Sequence, residues 1–375
     1  GGQRVKPEII RVGIVQRVLP GYRAEFFDTL AGMFPGGVSV YAGFARPDEM
    51  VSTEKTLQKA RFVQAENHHI LSGGFYLCWQ GGLLEWLSGW DPDVLVMEAN
   101  PRYLSSPAAI RWMQRRRRKV IGWGLGAPAI HGFAAGLRNR LRSRFFSQFD
   151  ALIAYSRTGA DQYAAGGFPK DRIFVAANAS AHRPGGLAPE RIPHEGIRVL
   201  YVGRLQERKR VDLLLKACAT LSQGSQPDLW IVGDGPARVV LETLAQNIYP
   251  SARFLGDQRG DALAEIFREV DLFVLPGTGG LAVQEAMAAG LPVIVAEGDG
   301  TQGDLVRPEN GWLIPPGDHA TLASVLSEVI REPDRLRQMG MASRRIVSEE
   351  INLETMAEAY ARAIHITLGE TRCTS

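Results

Sequence analysis

Two cations and a glycine follow an apolar run in the stretch YVGRLQERKRVDLLLKA, residues 201–217. Gly203 ends the run, Arg204 comes next, and Lys209 precedes a second apolar segment. Arginine can bind two phosphate oxygens at once and lysine adds a compact point charge, so this spacing suits a diphosphate. Taken alone, the stretch fits solvated surface cations equally well.

A glycine cluster and a carboxylate follow another apolar run in LFVLPGTGGLAVQEAMAAGLPVIVAEG, residues 272–298. Gly277, Gly279 and Gly280 leave backbone N–H groups able to face an anion at the start of a helix. Glu285 lies one helical turn further on. This pattern predicts a gap between strand and helix that holds an anionic ligand.

Short β-branched runs alternate with longer amphipathic segments, the pattern of parallel, doubly wound α/β sheets. The runs fall into two series, separated by about 40 residues. The predicted strands are IIRVGIVQ, GVSVYAG, DVLVMEA, KVIGWGL and ALIAYS in the first series, and IRVLYVG, DLWIVG, ARFLG, LFVLPG and LPVIVAEG in the second. The segment IVGDGP alone indicates only a tight turn that opens a helix.

Between the two series lies a stretch rich in proline and glycine that follows neither period, which indicates a linker. We predict a first domain over residues 1–178, a linker over 179–196, a second domain over 197–348, and a final helical segment over 349–375 that returns to the first domain. Open α/β sheets bind ligands at the carboxyl ends of their strands. Two such sheets facing each other would therefore share one cleft.

Length and composition fit two globular domains, with 375 residues, 45% of them hydrophobic and 22% charged. No apolar run approaches the roughly 18 residues of a membrane-spanning helix, so we expect a soluble protein. Cys78, Cys218 and Cys373 are far apart and lack the spacing of metal ligands, which favours reduced thiols and a cytoplasmic location.

Several other patterns have simpler interpretations. Residues 91–93, Asp-Pro-Asp, have the spacing of a metal-binding motif but precede a strand, where a turn is favoured. GWGLGAP, residues 122–128, lacks the third glycine of a dinucleotide-binding fingerprint, and GTGGLAVQE lacks the lysine of a P-loop. The pair His68 and His69 favours polar surface over a metal site.

Together, VGRLQERKRVDLLLKA, LWIVGDGP, LFVLPGTGGLAVQEAMAAGLPVIVAEG and ENGWLIPPGD resemble the C-terminal domain of retaining, nucleotide-sugar-dependent glycosyltransferases of the GT-B fold. That group, glycosyltransferase family 4-like, includes mannosyl- and glucosyltransferases of glycan assembly. The resemblance is specific over residues 198–318 and weaker in the first half. It implies two Rossmann-like domains facing across a cleft, the first for the acceptor and the second for the nucleotide sugar.

The resemblance also implies roles for individual residues of the second domain. Arg204 and Lys209, after Gly203, would neutralise the donor diphosphate, and Glu285 would receive the donor ribose. The backbone N–H groups of the glycine-rich turn would face phosphate and sugar. Those N–H groups belong to Thr278, Gly279, Gly280 and Leu281.

On the acceptor side, the resemblance implies a role for Gly21, Tyr22 and Arg23 after the first strand, although a plain turn fits them equally well. The active-site histidine that is common in the family has no secure match, because GWGLGAP stands in its place. His131, seven residues after Gly124, is the candidate.

The sequence departs from the family at Gly277, where relatives usually have a glutamate that contacts sugar hydroxyls. We therefore expect a roomier, less polar pocket at that point, and a deoxy, N-acetylated or otherwise altered sugar. The alternative is that Asp299 or Asp304, in the loop EGDGTQGD, supplies the missing carboxylate.

Retention, which the resemblance implies, lets a departing phosphate oxygen take the acceptor's proton, so a protein base is not required. Fixed cations and N–H dipoles around the phosphate lower the barrier. We expect no metal and no bound cofactor, with a nucleoside diphosphate sugar as co-substrate. The acceptor class stays open between a glycan, a lipid-linked molecule and a small molecule.

The charge is unevenly distributed, because residues 103–149 contain ten Lys or Arg and no Asp or Glu. In GLRNRLRSRFFSQF, Leu137 and Leu141 recur with two phenylalanines at four-residue intervals while arginines fill the other faces. Such a helix could lie on an anionic membrane surface as a peripheral contact; the alternative is a core-facing helix with a solvated basic face. No nucleic-acid motif accompanies the patch, so we expect no nucleic-acid partner.

Two other functions remain open alongside sugar transfer. A catalytically silent protein that only binds sugar nucleotides would be consistent with the missing acid at Gly277. An NAD-linked oxidoreductase of similar topology would bind nicotinamide.

Overall fold

A computed structural model describes residues 9–46, 56–71, 76–132 and 134–369. The chain forms two compact units. The first unit comprises Gly1–Asn178 and Leu353–Ser375, and the second comprises Ala179–Asn352.

The first unit contains a sheet of seven parallel strands and a separate antiparallel hairpin. Its strands, in chain order, are β1 (Val12–Val18), β2 (Val38–Gly43), β3 (Arg61–Gln64), β4 (Glu66–Ile70), β5 (Leu77–Gly81), β6 (Val94–Glu98), β7 (Lys119–Gly124), β8 (Ala151–Ala154) and β9 (Ile173–Val175). The seven-stranded sheet has the order β3-β2-β1-β6-β7-β8-β9, and β4 pairs with β5 in the hairpin. Strands β2 and β8 are buried along their whole length, and β1, β6 and β7 along most of it, as expected where helices cover both faces.

Within the described part of the first unit, α-helices connect these strands. They are α1 (Ala24–Ala31), α2 (Leu83–Trp90), α3 (Ser106–Arg115), α4 (Ala135–Phe146) and α5 (Arg157–Ala165). A clear N-cap opens α5, where the Ser156 side chain accepts a hydrogen bond from the Gly159 N–H.

The second unit is a six-stranded parallel sheet of Rossmann type. Its strands are β10 (Arg198–Val202), β11 (Asp228–Val232), β12 (Arg253–Gly256), β13 (Leu272–Leu275), β14 (Val293–Ala296) and β15 (Gly311–Ile314). Its helices are α6 (Val211–Thr220), α7 (Arg238–Ile248), α8 (Asp261–Arg268), α9 (Leu281–Ala288), α10 (Gln302–Leu305), α11 (His319–Val329) and α12 (Pro333–Glu349). The strands lie in the order β12-β11-β10-β13-β14-β15. From β10, the chain adds β11 and β12 on one side and then β13, β14 and β15 on the other, so the direction in which strands are added reverses between β10 and β13. That reversal is the topological switch point where such sheets bind ligands.

The last helix, α13 (Leu353–Leu368), packs in the first unit. Its Tyr360 is fully buried and meets Phe26 edge-on, with ring centroids 4.9 Å apart. The same tyrosine contacts Trp123 at 5.4 Å, so α13 closes one face of the first sheet with aromatic side chains.

The segment 179–196 is held on the second unit by side chains that bind its backbone or reach out from it. Gln284 of α9 accepts a hydrogen bond from the Ser180 N–H at 2.8 Å. Arg344 of α12 donates to the carbonyl oxygens of residues 185–187. Arg191 donates to the carbonyl oxygens of Val270 at 2.9 Å and Gly290 at 2.6 Å.

Asp91 and Asp93, at the amino end of β6, bind arginine. Asp91 ends α2 in a left-handed conformation and pairs with Arg11 and Arg118. The hydrogen bond from Arg118 lowers the pKa of the Asp91 carboxyl. Asp93 accepts a hydrogen bond from the Arg11 N–H at 2.8 Å. Both carboxylates thus have structural partners in a turn.

Cys78 and Cys218 are buried thiols, and Cys373 lies outside the described residues. Burial raises the pKa of the Cys218 thiol to about 12. The Cys218 thiolate is therefore a minor form at neutral pH, and the residue packs as a small apolar side chain.

Candidate active site

The site lies in the second unit, at the carboxyl ends of the two strands that flank the switch point. Residues 203–210 follow β10 and residues 276–280 follow β13; we call these the two switch-point loops. The sequence had placed its two strongest motifs in these loops. Sheet topology makes them neighbours, because β10 pairs directly with β13.

The turn after β11 holds the first switch-point loop through two backbone hydrogen bonds. The Leu205 N–H donates to the carbonyl of Asp234 at 2.9 Å, and the Ala237 N–H donates to the carbonyl of Leu205 at 3.0 Å. The IVGDGP segment is therefore more than an isolated turn. It fixes the backbone that carries Arg204.

Backbone and side-chain hydrogen bonds join the two switch-point loops. The Thr278 N–H donates to the carbonyl of Arg208 at 3.1 Å, and the Lys209 ammonium donates to the carbonyl of Thr278 at 2.6 Å. Arg208 also lies close to the Thr278 hydroxyl, at 3.4 Å. Because the Thr278 N–H is used internally, it is not one of the ligand-facing donors that the sequence had predicted.

Arg208 is a site residue that sequence reasoning missed. It stands in the run RKR next to Lys209, and that local density of positive charge was the available signal. Its carbonyl holds one loop to the other, and its guanidinium adds positive charge at their junction. The third cation, Arg210, instead pairs with Asp212 at 3.0 Å at the start of α6.

The ammonium group of Lys209 is partly buried among protein atoms. Burial, and then the neighbouring charge of Arg208, lower the pKa of Lys209 from 10.5 to about 8. A negatively charged ligand at this point would favour the protonated form and offset both effects. The lowered pKa thus marks a position whose electrostatics suit an anion.

Gly279 has a backbone conformation that fits the ammonium. Its φ of +127° lies in a region that L side chains rarely adopt, and a Cβ there would collide with the Lys209 Nζ. Glycine at this position therefore lets the lysine approach the start of α9.

The surroundings of Gly277 contradict a prediction from the sequence. The absence of a side chain there was expected to leave a roomier pocket, but a Cβ at Gly277 would stand closer than 3.0 Å to the backbone of Arg208 and Lys209. The space is filled by main chain, so the roomier-pocket prediction was wrong. The expectation of an altered donor sugar loses its basis.

The N-terminus of α9 adds backbone donors to the cations. Gly280 caps this eight-residue helix, and the Gly279, Gly280 and Leu281 N–H groups come before its hydrogen-bonding pattern is established. Helix N-termini carry partial positive charge, which favours phosphate. Leu281 itself is 40% exposed at this end of the helix.

Glu285 lies in α9 one turn after the glycine cluster and is accessible to solvent. The surrounding protein partly removes water from its carboxyl group, which raises the pKa of Glu285. The preceding residue, Gln284, is buried and binds the 179–196 segment instead. Adjacent positions on α9 thus serve different purposes.

Arg204, Asp299 and Asp304 also follow strands at this edge of the sheet. Arg204 is exposed directly after Gly203, and its carbonyl accepts a hydrogen bond from the Tyr201 hydroxyl at 3.2 Å. Asp299 binds Thr301 in a local turn, with 2.6 Å to the hydroxyl. Asp304 lies half-buried in α10, after β14, the strand next to β13.

In the first unit, Gly21, Tyr22 and Arg23 form a short 3-10 turn after β1. Tyr22 is 42% exposed, but Arg23 is only 3% exposed and points inward. Its guanidinium donates to the Asn178 side-chain oxygen at 2.6 Å and lies 5.5 Å from the Trp123 ring centroid. Arg23 therefore has a place in the core rather than the acceptor-facing position expected from the sequence.

Glu98, at the end of β6, lies near the same turn and was not predicted. Its carboxylate accepts the Arg17 N–H at 2.6 Å. Burial raises the pKa of Glu98, and the charges of Arg17 and Arg23 oppose that shift.

His131, the candidate for the family's active-site histidine, is exposed in the loop after β7. Its backbone carbonyl accepts a hydrogen bond from the Arg138 guanidinium at 3.2 Å.

Comparison with known proteins identifies the family. The family model for glycosyl transferases group 1 matches residues 187–346, which include both switch-point loops. The model for the glycosyl transferase 4-like domain matches residues 44–179. A GDP-mannose-dependent alpha-mannosyltransferase of Mycolicibacterium smegmatis is 32% identical over 297 residues, 70% of this chain and 70% of that protein. This chain is a group 1 glycosyltransferase.

Further similarities agree with this assignment. The amylovoran biosynthesis glycosyltransferase AmsK of Erwinia amylovora is 28% identical over 255 residues, 63% of this chain and 62% of that protein. The solved structure of sucrose-phosphate synthase from Thermosynechococcus elongatus superposes on the enzyme with a TM-score of 0.70 at 18% identity, covering 96% of this chain and 100% of the other. Two α/β units with parallel sheets and this structural likeness confirm the predicted GT-B fold. The two family models and the 32% identical relative confirm the family resemblance.

Proposed function

We propose that the enzyme transfers a hexose, with retention of anomeric configuration, from a nucleoside diphosphate sugar bound by the second unit to a glycan, lipid-linked or small-molecule acceptor. The junction of the two switch-point loops carries this proposal. There the Lys209 ammonium lies against Thr278, at the start of α9. A cation and backbone donors converge at one point, and Glu285 follows one turn on.

This arrangement suits the departure of a diphosphate. As the bond between the anomeric carbon and the phosphate oxygen breaks, negative charge grows on that oxygen. Lys209 and the N–H groups of α9 stabilise the charge without rearranging. The acceptor oxygen bonds to the anomeric carbon on the same face, and its proton passes to the departing phosphate oxygen.

We propose GDP-mannose as the donor. The Mycolicibacterium smegmatis relative is named for this donor, and its similarity to the enzyme extends over 70% of the chain. The main chain that fills the space at Gly277 removes the earlier reason to expect an altered sugar.

A transfer assay tests this function against silent binding. The enzyme, in chelator, is offered GDP-mannose or UDP-glucose with a labelled sugar, together with glycan, lipid-linked and small-molecule acceptors. We expect label to appear on an acceptor from GDP-mannose. Binding of GDP-mannose with neither hydrolysis nor transfer would favour the silent protein, and activity that returns only with magnesium or manganese would contradict the proposed mechanism.

For Glu285, we predict that Glu285→Gln weakens nucleotide binding and removes discrimination between ribose and dideoxyribose. A carboxylate accepts two hydrogen bonds from vicinal hydroxyls, each charge-assisted bond contributing roughly 1.5–3 kcal/mol. Calorimetry with GDP and 2′,3′-dideoxy-GDP measures both effects. The matched control is Glu265→Gln, at an exposed position of α8. Equal GDP affinity in Glu285→Gln and the wild type would rule out the ribose role.

We also propose that α4 rests on an anionic membrane surface. Leu137 and Leu141 of this helix are 60% and 58% exposed, although Phe145 and Phe149 are buried. Exposed apolar side chains beside arginines are typical of interfacial helices. Within the described residues, no helix is long and apolar enough to cross a bilayer.

Two arginines of α4 provide the membrane test. Arg140 and Arg144 are exposed, whereas Arg138 and Arg142 donate to loop carbonyls and would disturb the fold if replaced. At about 1 kcal/mol per basic residue near lipid, Arg140→Gln with Arg144→Gln should weaken binding to phosphatidylserine vesicles about 30-fold.

Vesicle flotation at low and high salt measures this change. The control is the pair Arg331→Gln and Arg345→Gln, which removes the same charge from the second unit. If both double variants bind the vesicles as the wild type does, α4 does not bind the membrane and has only a solvated basic face.

A further inference from the structure

A groove in the first unit lies outside the site described above. It has a volume of about 750 Å³, within the range of roughly 300–1,000 Å³ that is usual for ligand sites. Three elements form it: the edge strand β3, the β4–β5 hairpin and helix α2. Its chemistry is set by the side chains of Arg61, Gln64, Glu66, His68, Trp79, Glu85, Trp86 and Trp90. We call it the tryptophan groove.

Trp79 presents an aromatic face to the tryptophan groove. Its side chain is 47% exposed, although tryptophan usually buries most of its surface. The ring of His68 stacks on it, with centroids 5.0 Å apart and an interplanar angle of 28°. His68, which the sequence indicated to be plain polar surface, thus supports an exposed indole.

Two further tryptophans line the tryptophan groove: Trp90, which is partly exposed, and Trp86, which is largely buried. The Trp86 indole N–H donates to the Ser39 hydroxyl at 3.1 Å, and the Trp90 indole N–H donates to the Val12 carbonyl at 3.0 Å. Both polar groups are satisfied inside the protein. The surface left for a ligand is therefore ring carbon.

The polar lining differs from that of the switch-point loops. Glu66 and Glu85 contribute two carboxylates against one guanidinium, that of Arg61, so the carboxylates outnumber the guanidinium in the lining. Such a lining disfavours phosphates and nucleotides. Among the described residues, moreover, no group of three metal-binding side chains occurs. A neutral ligand rich in hydroxyl groups fits this charge balance.

The walls are held in place before any ligand arrives. The Asn67 side chain of β4 donates to the Arg17 carbonyl at 2.7 Å, and the Gln80 side chain of β5 donates to the Gln16 carbonyl at 2.9 Å. The Gln80 N–H also donates to the Ser105 hydroxyl at 2.7 Å. A hairpin fixed to β1 and α3 in this way loses little entropy on binding.

We propose that the tryptophan groove of the first unit binds a neutral saccharide segment of the acceptor glycan, whereas the donor is bound by the second unit. Sugar rings combine an apolar C–H face with a rim of hydroxyls. The face would lie on Trp79, and the hydroxyls would donate to Glu66 and Glu85 and accept from Arg61. The proposal rests on the proposed function, since it assumes a glycan acceptor, and it narrows that acceptor to one with more than a single sugar.

Direct binding tests the tryptophan groove without any transfer reaction. Neutral manno- and gluco-oligosaccharides of increasing length are titrated into the 375-residue chain, with tryptophan fluorescence and saturation-transfer NMR as readouts. We expect saturable binding that strengthens with chain length. Trp79→Ala should weaken it about tenfold or more, and Trp79→Phe should retain part of it.

Matched controls separate this proposal from the function it rests on. Leu84→Ala, at a residue of α2 that is 44% exposed and outside the lining, should bind oligosaccharides like the wild type. All variants should keep wild-type GDP affinity and a wild-type circular dichroism spectrum, the second of which shows that the first unit is folded. If no GDP or transfer is detected but Trp79 still governs oligosaccharide binding, the proposed function fails while the groove stands.

Kinetics supply a second readout. In Trp79→Ala and Glu85→Gln, the KM for a long acceptor should rise while kcat and the donor KM stay unchanged. The proposal is overturned if no oligosaccharide binds, or if Trp79→Ala and Leu84→Ala bind alike. Saturable binding of anionic vesicles or nucleotides in the groove, in place of oligosaccharides, would overturn it too.

Discussion

Lys209→Met should lower kcat by about 10²–10³-fold while weakening donor binding much less, because the ammonium faces charge that is largest in the transition state. Its position is defined by the 2.6 Å hydrogen bond to the Thr278 carbonyl and by close packing on Gly279. Methionine keeps most of the side-chain volume and removes the charge. The measurement is steady-state transfer from GDP-mannose, alongside calorimetry with GDP.

The control is Lys216→Met, which removes a lysine that pairs with Asp212 on the exposed side of α6. We expect its turnover to be close to that of the wild type. The turnover of Arg204→Ala should lie between those of the two lysine variants, because Arg204 follows Gly203 at the same strand end but is exposed. Near-normal turnover in both Lys209→Met and Arg204→Ala would rule out the diphosphate role of the β10 loop.

The lowered pKa of Lys209 adds a pH signature to this prediction. GDP affinity of the wild type should fall as pH rises through about 8, because the ammonium then loses its charge. Stability of the ligand-free protein should change in the opposite sense. Between about pH 8 and 10.5 the unfolded lysine still holds a proton that the folded one has released, so this group adds stability as pH rises. Both trends should be absent in Lys209→Met.

The sequence predicted the strands that matter for the site, because parallel strands buried on both faces appear as continuous apolar runs. The run of β13 is fully apolar, and β10 and β11 are buried and mainly apolar after a charged first residue. The turns after these strands carry the glycines and cations. The strands β3, β4, β5, β9 and β15 were missed, although other strands of four residues were predicted. β3 and β4 lie at the edge of the structure with exposed residues, so they lack a buried run, and β9 has only three residues.

Side-chain direction was the part that the sequence could not supply. Arg23 follows a strand end, as Arg204 does, yet it is buried among aromatic rings while Arg204 is exposed. The partners of Arg23 lie 155 and 333 residues away, at Asn178 and Met356. No local pattern distinguishes a cation that binds a ligand from one that closes a core through such distant contacts.

A glycine in a sequence likewise does not show whether its missing side chain is replaced by ligand, solvent or main chain. At Gly277 the neighbouring loop occupies the space, and at Gly280 a Cβ would meet nothing within 4 Å. These two positions, three residues apart, therefore give a matched pair for testing how the site is built.

Gly277→Ala should destabilise the enzyme by about 1–3 kcal/mol and sharply weaken GDP binding, because the new methyl group collides with main chain that cannot rotate away. Relief requires the two switch-point loops to separate. That would lengthen the hydrogen bond from Thr278 to Arg208 and move Lys209 from the start of α9. Gly280→Ala should change stability by no more than about 0.5 kcal/mol. Urea denaturation and GDP calorimetry measure the two effects.

Gly277→Glu decides between main-chain packing and an open pocket. With an open pocket, the glutamate would be accommodated at wild-type stability and would alter only the choice of donor sugar. With main chain in that space, the Gly277→Glu variant should be at least as destabilised as Gly277→Ala. It should lose affinity for all donor sugars to the same extent. Asp304→Ala is the third variant to compare, because Asp304 lies in α10, after β14, and does not fill the space at Gly277. Loss of transfer in Asp304→Ala with normal GDP affinity would place the missing sugar-binding carboxylate on α10, while the Gly277 variants would still report packing between the loops.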